Sequence, residues 1–474
     1  MPRKSLLAAL PLVVLLSACA TTYQPAEVPK LALPEPATAA AATDLSRWWQ
    51  RFDDPALTAL IERALQHNTD LRMAVARVDE AAAQLRFARG DQWPDMNVSA
   101  TAARERASAA GVMSRPSGTP YLSNNYDVSL NVAYEVDLWG RVRNASNAAL
   151  SRLVADREAV NALRSALAAQ VARTYFNLRA LDQTILLAER TVATREDAVG
   201  LLRKAVDAGL RGDLDLRQAE AQRDVVASRL PGLRSARART ERALALLAGD
   251  SPRAIVESRI AATDTTVLPA PPEVPAGLPS DLLARRPDIR EAEARLSAAQ
   301  ADVKSARARY YPTIVLTGSY GSSSADLSDL FTGPAVVWRL AAGLVQPIFG
   351  LNKIDAQVDA AKARQQQVEA GYVGTVQNAF KEVYDALGSL EAANATLRPL
   401  SDRVTALNEA LRISRVSYRS GSVPFLQVLD AERALLEAQT EEITTRQDRM
   451  SATVDVFRAL GGGWSIDSQA TAAR

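Results

Sequence analysis

Residues 126–140 read Tyr126-Asp127-Val128-Ser129-Leu130-Asn131-Val132-Ala133-Tyr134-Glu135-Val136-Asp137-Leu138-Trp139-Gly140, and this stretch decides the fold. Up to Asp137 the residues alternate strictly, with Tyr126, Val128, Leu130, Val132, Tyr134 and Val136 on one face and mostly polar residues on the other. From Val160 the period changes. Val160, Leu163, Leu167, Val171, Thr174, Leu178, Leu181, Ile185, Ala188, Val192, Arg195, Val199, Leu202 and Val206 follow in threes and fours, the seam of a long helix. No proline interrupts the chain between Pro120 and Pro231, so the helix is predicted over about 140–208. At 1.5 Å per residue its length is roughly 100 Å, several times the diameter of a small domain. The strand before it is long enough to cross a membrane as part of a barrel, which takes about 9 to 11 residues. An ordinary antiparallel sheet beside a coiled coil fits the same two periods.

The chain opens with Arg3 and Lys4, an apolar run from Leu6 to Leu16, and Leu16-Ser17-Ala18-Cys19. The run is too short to span a bilayer and has the layout of a secretory signal over 1–18. Its ending is similar to the bacterial lipobox, in which the cysteine is diacylated on sulfur and becomes the mature N-terminus. Cys19 is the only cysteine and cannot form an intrachain disulfide; an unmodified signal-peptide cysteine is the plainer alternative. Ala20, where a retaining aspartate would sit, resembles lipoproteins sorted to the outer membrane. Residues 19–43, with Pro25, Pro29, Pro34 and Pro36, read as an extended lipidated tether.

A first half follows over 44–249. Asp54-Pro55 starts a helix, 67–70 breaks it, and a second helix runs to Gly90 and the stop at Trp93-Pro94. A weak strand at about 96–103, a polar loop over 107–125, the strand at about 126–137 and the long helix come next. Gly209 to Asp213 is a turn, and Asp213 and Asp215 favour the start of a helix to about Ala248, kinked at Pro231-Gly232. A proline-rich linker occupies 250–279.

The same order of signals returns about 210 residues later, over 280–461, with 462–474 as a tail. Strands are predicted at about 313–320 and 335–346, separated by a Gly/Ser loop over 321–334. A long helix over about 350–420, kinked at Pro399, leads to the Gly421 turn and a last helix. The fold class is therefore mixed and mainly α, a duplicated half with two membrane strands and long coiled-coil helices in each copy. Four strands cannot close a barrel, and unpaired edges in hydrocarbon cost several kcal/mol per backbone group, so several chains must share one. Two chains give about eight strands and three about twelve; only larger closures leave a water channel.

Composition is ordinary, with 47% hydrophobic and 23% charged residues and a formal net charge of +2, and nothing in it points to nucleic acid. One histidine, His67, and one cysteine leave no material for a His/Cys metal centre or a Cys-His nucleophile. No glycine-rich phosphate loop follows a strand, and no enzyme is expected.

The residues resemble the outer-membrane factors of tripartite efflux pumps and secretion systems, the TolC and OprM family, most closely its lipoprotein branch. The resemblance covers nearly the whole mature chain. It is carried by the Cys19 lipobox, Tyr134 to Arg141, the segment Leu283-Ala284-Arg285-Arg286-Pro287-Asp288-Ile289, and Tyr418-Arg419-Ser420-Gly421 leading to Leu429-Asp430-Ala431-Glu432-Arg433. It implies a homotrimer with a twelve-stranded barrel continued by a periplasmic α-helical barrel. It also implies a periplasmic adaptor (membrane fusion) protein, an inner-membrane pump of the RND type, and an outer-membrane location with diacylglycerol and palmitate on Cys19. The chain would be a passive exit duct for drugs or other small molecules, contributing to antibiotic resistance and needing no other cofactor. The same resemblance places a periplasmic gate at Leu426, Asp430 and Arg433. By spacing alone, Asp430 and Arg433 are an exposed helical pair worth about 0.2 to 0.5 kcal/mol. On a rotation axis the same carboxylates would form a ring that concentrates cations. A duct for protein secretion and a lipid-anchored coiled-coil scaffold without transport are the alternatives.

Overall fold

The computed structural model describes residues 23–31, 45–108, 120–257, 260, 271–273 and 286–464. Cys19, the signal segment and most of the tether, linker and tail lie outside these. After a 3-10 turn at Trp48–Phe52, helix α1 spans Pro55–His67 and α2 spans Thr69–Gly90. Asp54 starts α1: its Oδ1 accepts the N–H groups of Ala56 at 2.9 Å and Leu57 at 3.1 Å, and Pro55 fills a position that needs no donor. Asn68 does the same for α2 and donates its Nδ2 to the Leu247 carbonyl.

Strands β1 (Asp95–Arg106) and β2 (Leu122–Val136) lead into α3 (Arg141–Asp207). Both strands run further than alternation suggests. Leu122, Ser123, Asn124 and Asn125 have a loop composition, yet they pair with residues 103–106 because the ladder bonds backbone groups whatever the side chains. Then come α4 (Asp213–Ala227), α5 (Leu230–Leu247) and the short α6 (Pro252–Glu257). The single kinked helix expected to reach Ala248 is thus two helices, broken at Ser228 and Arg229. Pro231 sits in the first turn of α5, where its missing N–H has no intrahelical partner to lose. Asp213 and Asp215 lie in the first turn of α4 without capping it; Gly212 is the cap residue and bonds through no side chain.

The second half holds α7 (Pro287–Ala308), β3 (Thr313–Ser324), β4 (Val336–Val345), α8 (Leu351–Arg419) and α9 (Phe425–Ala459). Pro399 lies inside α8 without ending it. Gly321 to Ser324, read from composition as loop, complete β3. A Cβ on Gly321 would lie 2.2 Å from the Val128 carbonyl oxygen, so glycine is there to admit the neighbouring backbone. The four strands form one antiparallel sheet in the order β1-β2-β3-β4. Duplication is also written in the backbone: left-handed glycines Gly140 and Gly350, Gly209 and Gly421, and Gly249 and Gly461 stand 210, 212 and 212 residues apart.

Two compact units cut across this duplication, each taking matching parts of both halves. One falls within Met1–Lys30, Arg77–Arg157 and Glu291–Val373, the other within Leu31–Ala76, Glu158–Arg290 and Gly374–Arg474. The first holds the sheet and a small helical core of Ala81, Leu85, Ala149 and Leu153. Residues 23–30, part of the expected tether, lie against α7. Ser297 Oγ donates to the Gln24 carbonyl at 2.6 Å, and the Gln300 amide pairs with both backbone groups of Glu27.

The second unit has an aromatic core in which Trp48 stacks on Phe457 at 5.8 Å and Phe52 meets Phe176 at 5.2 Å, all buried. Arg286 ties this unit together, bonding Asp288 at 2.7 Å, Glu382 at 2.8 Å and the Ala459 carbonyl at 3.1 Å. Burial works against its charge, but the two carboxylates more than offset this and raise its pKa. Replacing Phe457 by alanine opens a cavity under Trp48 and is expected to cost about 3 to 5 kcal/mol. A lowered unfolding midpoint, followed by tryptophan emission, checks this.

Candidate functional site

Pairing register gives the sheet two unlike faces. Directly opposed residues share a face, so Met96, Val132, Gly318 and Leu340 form one row and Val98, Leu130, Tyr320 and Trp338 the next. This apolar face is bare: Val98 is 72% exposed, Trp338 71% and Leu340 78%. The opposite face carries Asn97, Ser99, Ser129, Asn131, Thr317 and Ser319, several of them hydrogen-bonded across strands, as Ser99 to Ser129 at 3.0 Å and Asn131 to Ser99 at 3.0 Å. Neither outer edge, β1 nor β4, pairs with another described strand. Among the described residues no helix is long and apolar enough to cross a membrane. The sheet is thus the element built to meet lipid on one side and water on the other.

The junction of β2 with α3 explains the Tyr134 to Arg141 motif residue by residue. Glu135 receives a bidentate pair from Arg141 at 2.8 and 2.6 Å, which pushes the arginine pKa further up. Asp137 accepts the N–H of Arg143 at 2.7 Å and so caps the helix. Trp139 donates to the Pro312 carbonyl at 2.9 Å and stacks on Tyr311, which ties the junction to the start of β3. Gly140 turns the chain at a φ of 78°. The matching junction in the second half is open, with Ile348 74% and Phe349 93% exposed.

At the Gly209 and Gly421 turns the hairpins α3/α4 and α8/α9 pack around Val199, Leu202, Leu216, Leu411, Phe425, Val428 and Leu429. The duplication reappears as a pair of clasps: Arg203 to Glu220 and Arg415 to Glu432 are both 2.8 Å and both 17 residues apart. Arg195 has no such counterpart, because Leu407 stands 212 residues later. It reaches from α3 to Glu432 on α9 at 3.5 Å and donates to the Gln222 carbonyl at 2.5 Å. Burial pushes its pKa down and Glu432 works against that shift. Tyr418 closes the same interface, donating to Asp215 at 3.1 Å under the guanidinium of Arg211; burial and that bond raise its pKa.

Leu426, Asp430 and Arg433 all lie on the face of α9 turned away from this core. Leu426 is 54% exposed, and Asp430 and Arg433 pair at 3.2 Å with both side chains more than half exposed. Sequence reasoning missed Arg195, although a charged residue in an otherwise apolar helical seam was the signal. Among the described residues no cluster of His, Cys, Asp and Glu could hold a metal ion.

A profile of the family described as "Outer membrane efflux protein" matches the chain twice, over residues 60–250 and 278–462. The chain belongs to the outer membrane efflux protein family. The solvent efflux pump outer membrane protein SrpC of Pseudomonas putida is 35% identical over 433 residues, covering 90% of this chain and 89% of that one. The cation efflux system protein CusC of Escherichia coli is 33% identical over 417 residues, 88% of each chain. The solved outer-membrane channel OprN superposes with a TM-score of 0.83 at 29% identity, over 92% of this chain and 99% of that one. The protein is an outer-membrane efflux channel, not an enzyme, and the scaffold alternative falls away.

The two clasps of this efflux channel differ in burial. Glu432→Ala leaves Arg195 enclosed without a carboxylate and is expected to cost about 3 kcal/mol. Glu220→Ala, whose partners are more than half exposed, is expected to be nearly neutral. Thermal unfolding of the two purified variants side by side distinguishes them.

Proposed function

We propose that three copies of this chain close one twelve-stranded barrel and serve as the exit duct of a tripartite efflux pump. The observation that carries this reading is the four-stranded sheet with one bare apolar face and two edges that pair with no other described strand, which needs partner strands before it can sit in hydrocarbon. A periplasmic adaptor and an inner-membrane pump of the RND type supply cargo and energy, and the duct conducts passively. Relatives with nearly equal identity carry the names of a solvent pump and a cation system, so choice of cargo belongs to the pump.

In this reading the exposed face of α9 lines the periplasmic entrance, where Leu426 narrows the opening and Asp430 with Arg433 forms its charged ring. The position 212 residues before Asp430 is Gln218, so only the second half supplies the carboxylate. Asp430→Ala combined with Arg433→Ala is expected to raise single-channel conductance in planar bilayers. Unchanged conductance of the purified channel counts against the gate.

Cys19 carries diacylglycerol and palmitate and anchors the chain to the outer membrane. Cells fed labelled palmitate should mark the wild-type chain and leave Cys19→Ser unlabelled; label retained by the variant refutes the anchor.

A further inference from the structure

The apolar face of β1 ends in two arginines. Counting from the helical end, Met96, Val98, Ala100, Ala102, Arg104 and Arg106 share one face, and their partners on β2 are Val132, Leu130, Val128, Tyr126, Asn124 and Leu122. On that face the apolar rows extend from Val136 to Tyr126, ten residues, or about 34 Å along the strand at 3.4 Å per residue. A barrel tilt of about 40° reduces this to roughly 25 Å, the usual height of the lipid-facing band. Arg104 and Arg106 lie one and two rows beyond it, at headgroup depth on the side away from the helices.

Both guanidinium groups are exposed, and neither forms an ion pair among the described residues. Their Cα atoms are about 7 Å apart by strand geometry. The acidic residues of the same two strands at this end, Glu105 and Asp127, belong to the polar face, while Asp326 and Asp329 sit in the connection after β3. On β1 and β2 the charges are divided by face, Arg104 and Arg106 on the apolar face and Asp95, Glu105, Asp127 and Glu135 on the polar one. An arginine fork suits a phosphate oxygen pair, and two forks at this spacing suit a phosphorylated headgroup held at the surface.

We infer that Arg104 and Arg106 form a binding site for a phosphate-bearing lipid of the outer leaflet. The inference rests on the membrane-barrel reading above. The site would brace β1 at the level where the apolar band stops and the side chains reach past it to the headgroups.

Full-length channel in mild detergent is titrated with bis-phosphorylated lipid A and with its dephosphorylated form, and bound lipid is counted by native mass spectrometry. The wild type should prefer the phosphorylated form. Arg104→Ala combined with Arg106→Ala should weaken its binding roughly 10- to 30-fold, at about fivefold per arginine. Arg339→Ala, on the polar face, should not weaken it. Equal affinity for the two lipids, an unaffected double variant, or an equal loss in Arg339→Ala overturns the site. Conductance of the same preparations separates the premises: a conducting channel without lipid preference ends this inference alone, and a wild type that never conducts ends the barrel reading with it.

Discussion

Backbone hydrogen bonding at a sheet edge is the constraint on which the rest of this molecule depends. Inside the sheet every strand has a neighbour on at least one side, but among the described residues β1 and β4 each leave a row of N–H and C=O groups without one. In water such edges are tolerable; in hydrocarbon each unpaired group costs several kcal/mol. The bare apolar face prevents retreat into water, because Val98, Tyr320, Trp338 and Leu340 would be left against solvent. A chain with these two properties is incomplete alone, and pairing edge to edge with further copies answers both demands at once.

The strand-to-helix junction shows how local chemistry serves that demand. Within seven residues Glu135 and Arg141 form an ion-pair clamp, Asp137 caps the helix, Trp139 ties the junction to the start of β3, and Gly140 takes the left-handed turn into the helix. The corresponding residues of the second half keep the glycine at Gly350 and lose the clamp, with Val345 and Leu351 where Glu135 and Arg141 stand. Duplication has thus preserved the backbone path and let the side chains diverge.

Divergence is also visible at the helical turns. Arg203 with Glu220 and Arg415 with Glu432 are the same clasp inherited twice, but only Glu432 also takes Arg195 from the other hairpin. A buried arginine shared between hairpins resists local opening, whereas an exposed clasp exerts little hold. The halves of the turn region are therefore mechanically unequal even where their sequences align.

The sequence by itself determined the elements that depend on local period and punctuation. Alternation from Tyr126, the long apolar seam to Val206, the cap at Asp54 and the repeated glycine turns all follow from side-chain spacing and allowed backbone angles, which need no distant partner. Polar strand ends at 103–106 and 122–125, Gly321 within β3, and the break at Ser228 were decided only by tertiary structure. In the first two cases the determining contact is another backbone, which leaves no mark in side-chain pattern; in the third, proline permits a helix start as readily as a kink. The site divides the same way. The exposed pair of Asp430 and Arg433 was legible from spacing, whereas the enclosure of Arg195 by Glu432 and Gln222 joins residues 27 or more positions apart, and only folding brings them together.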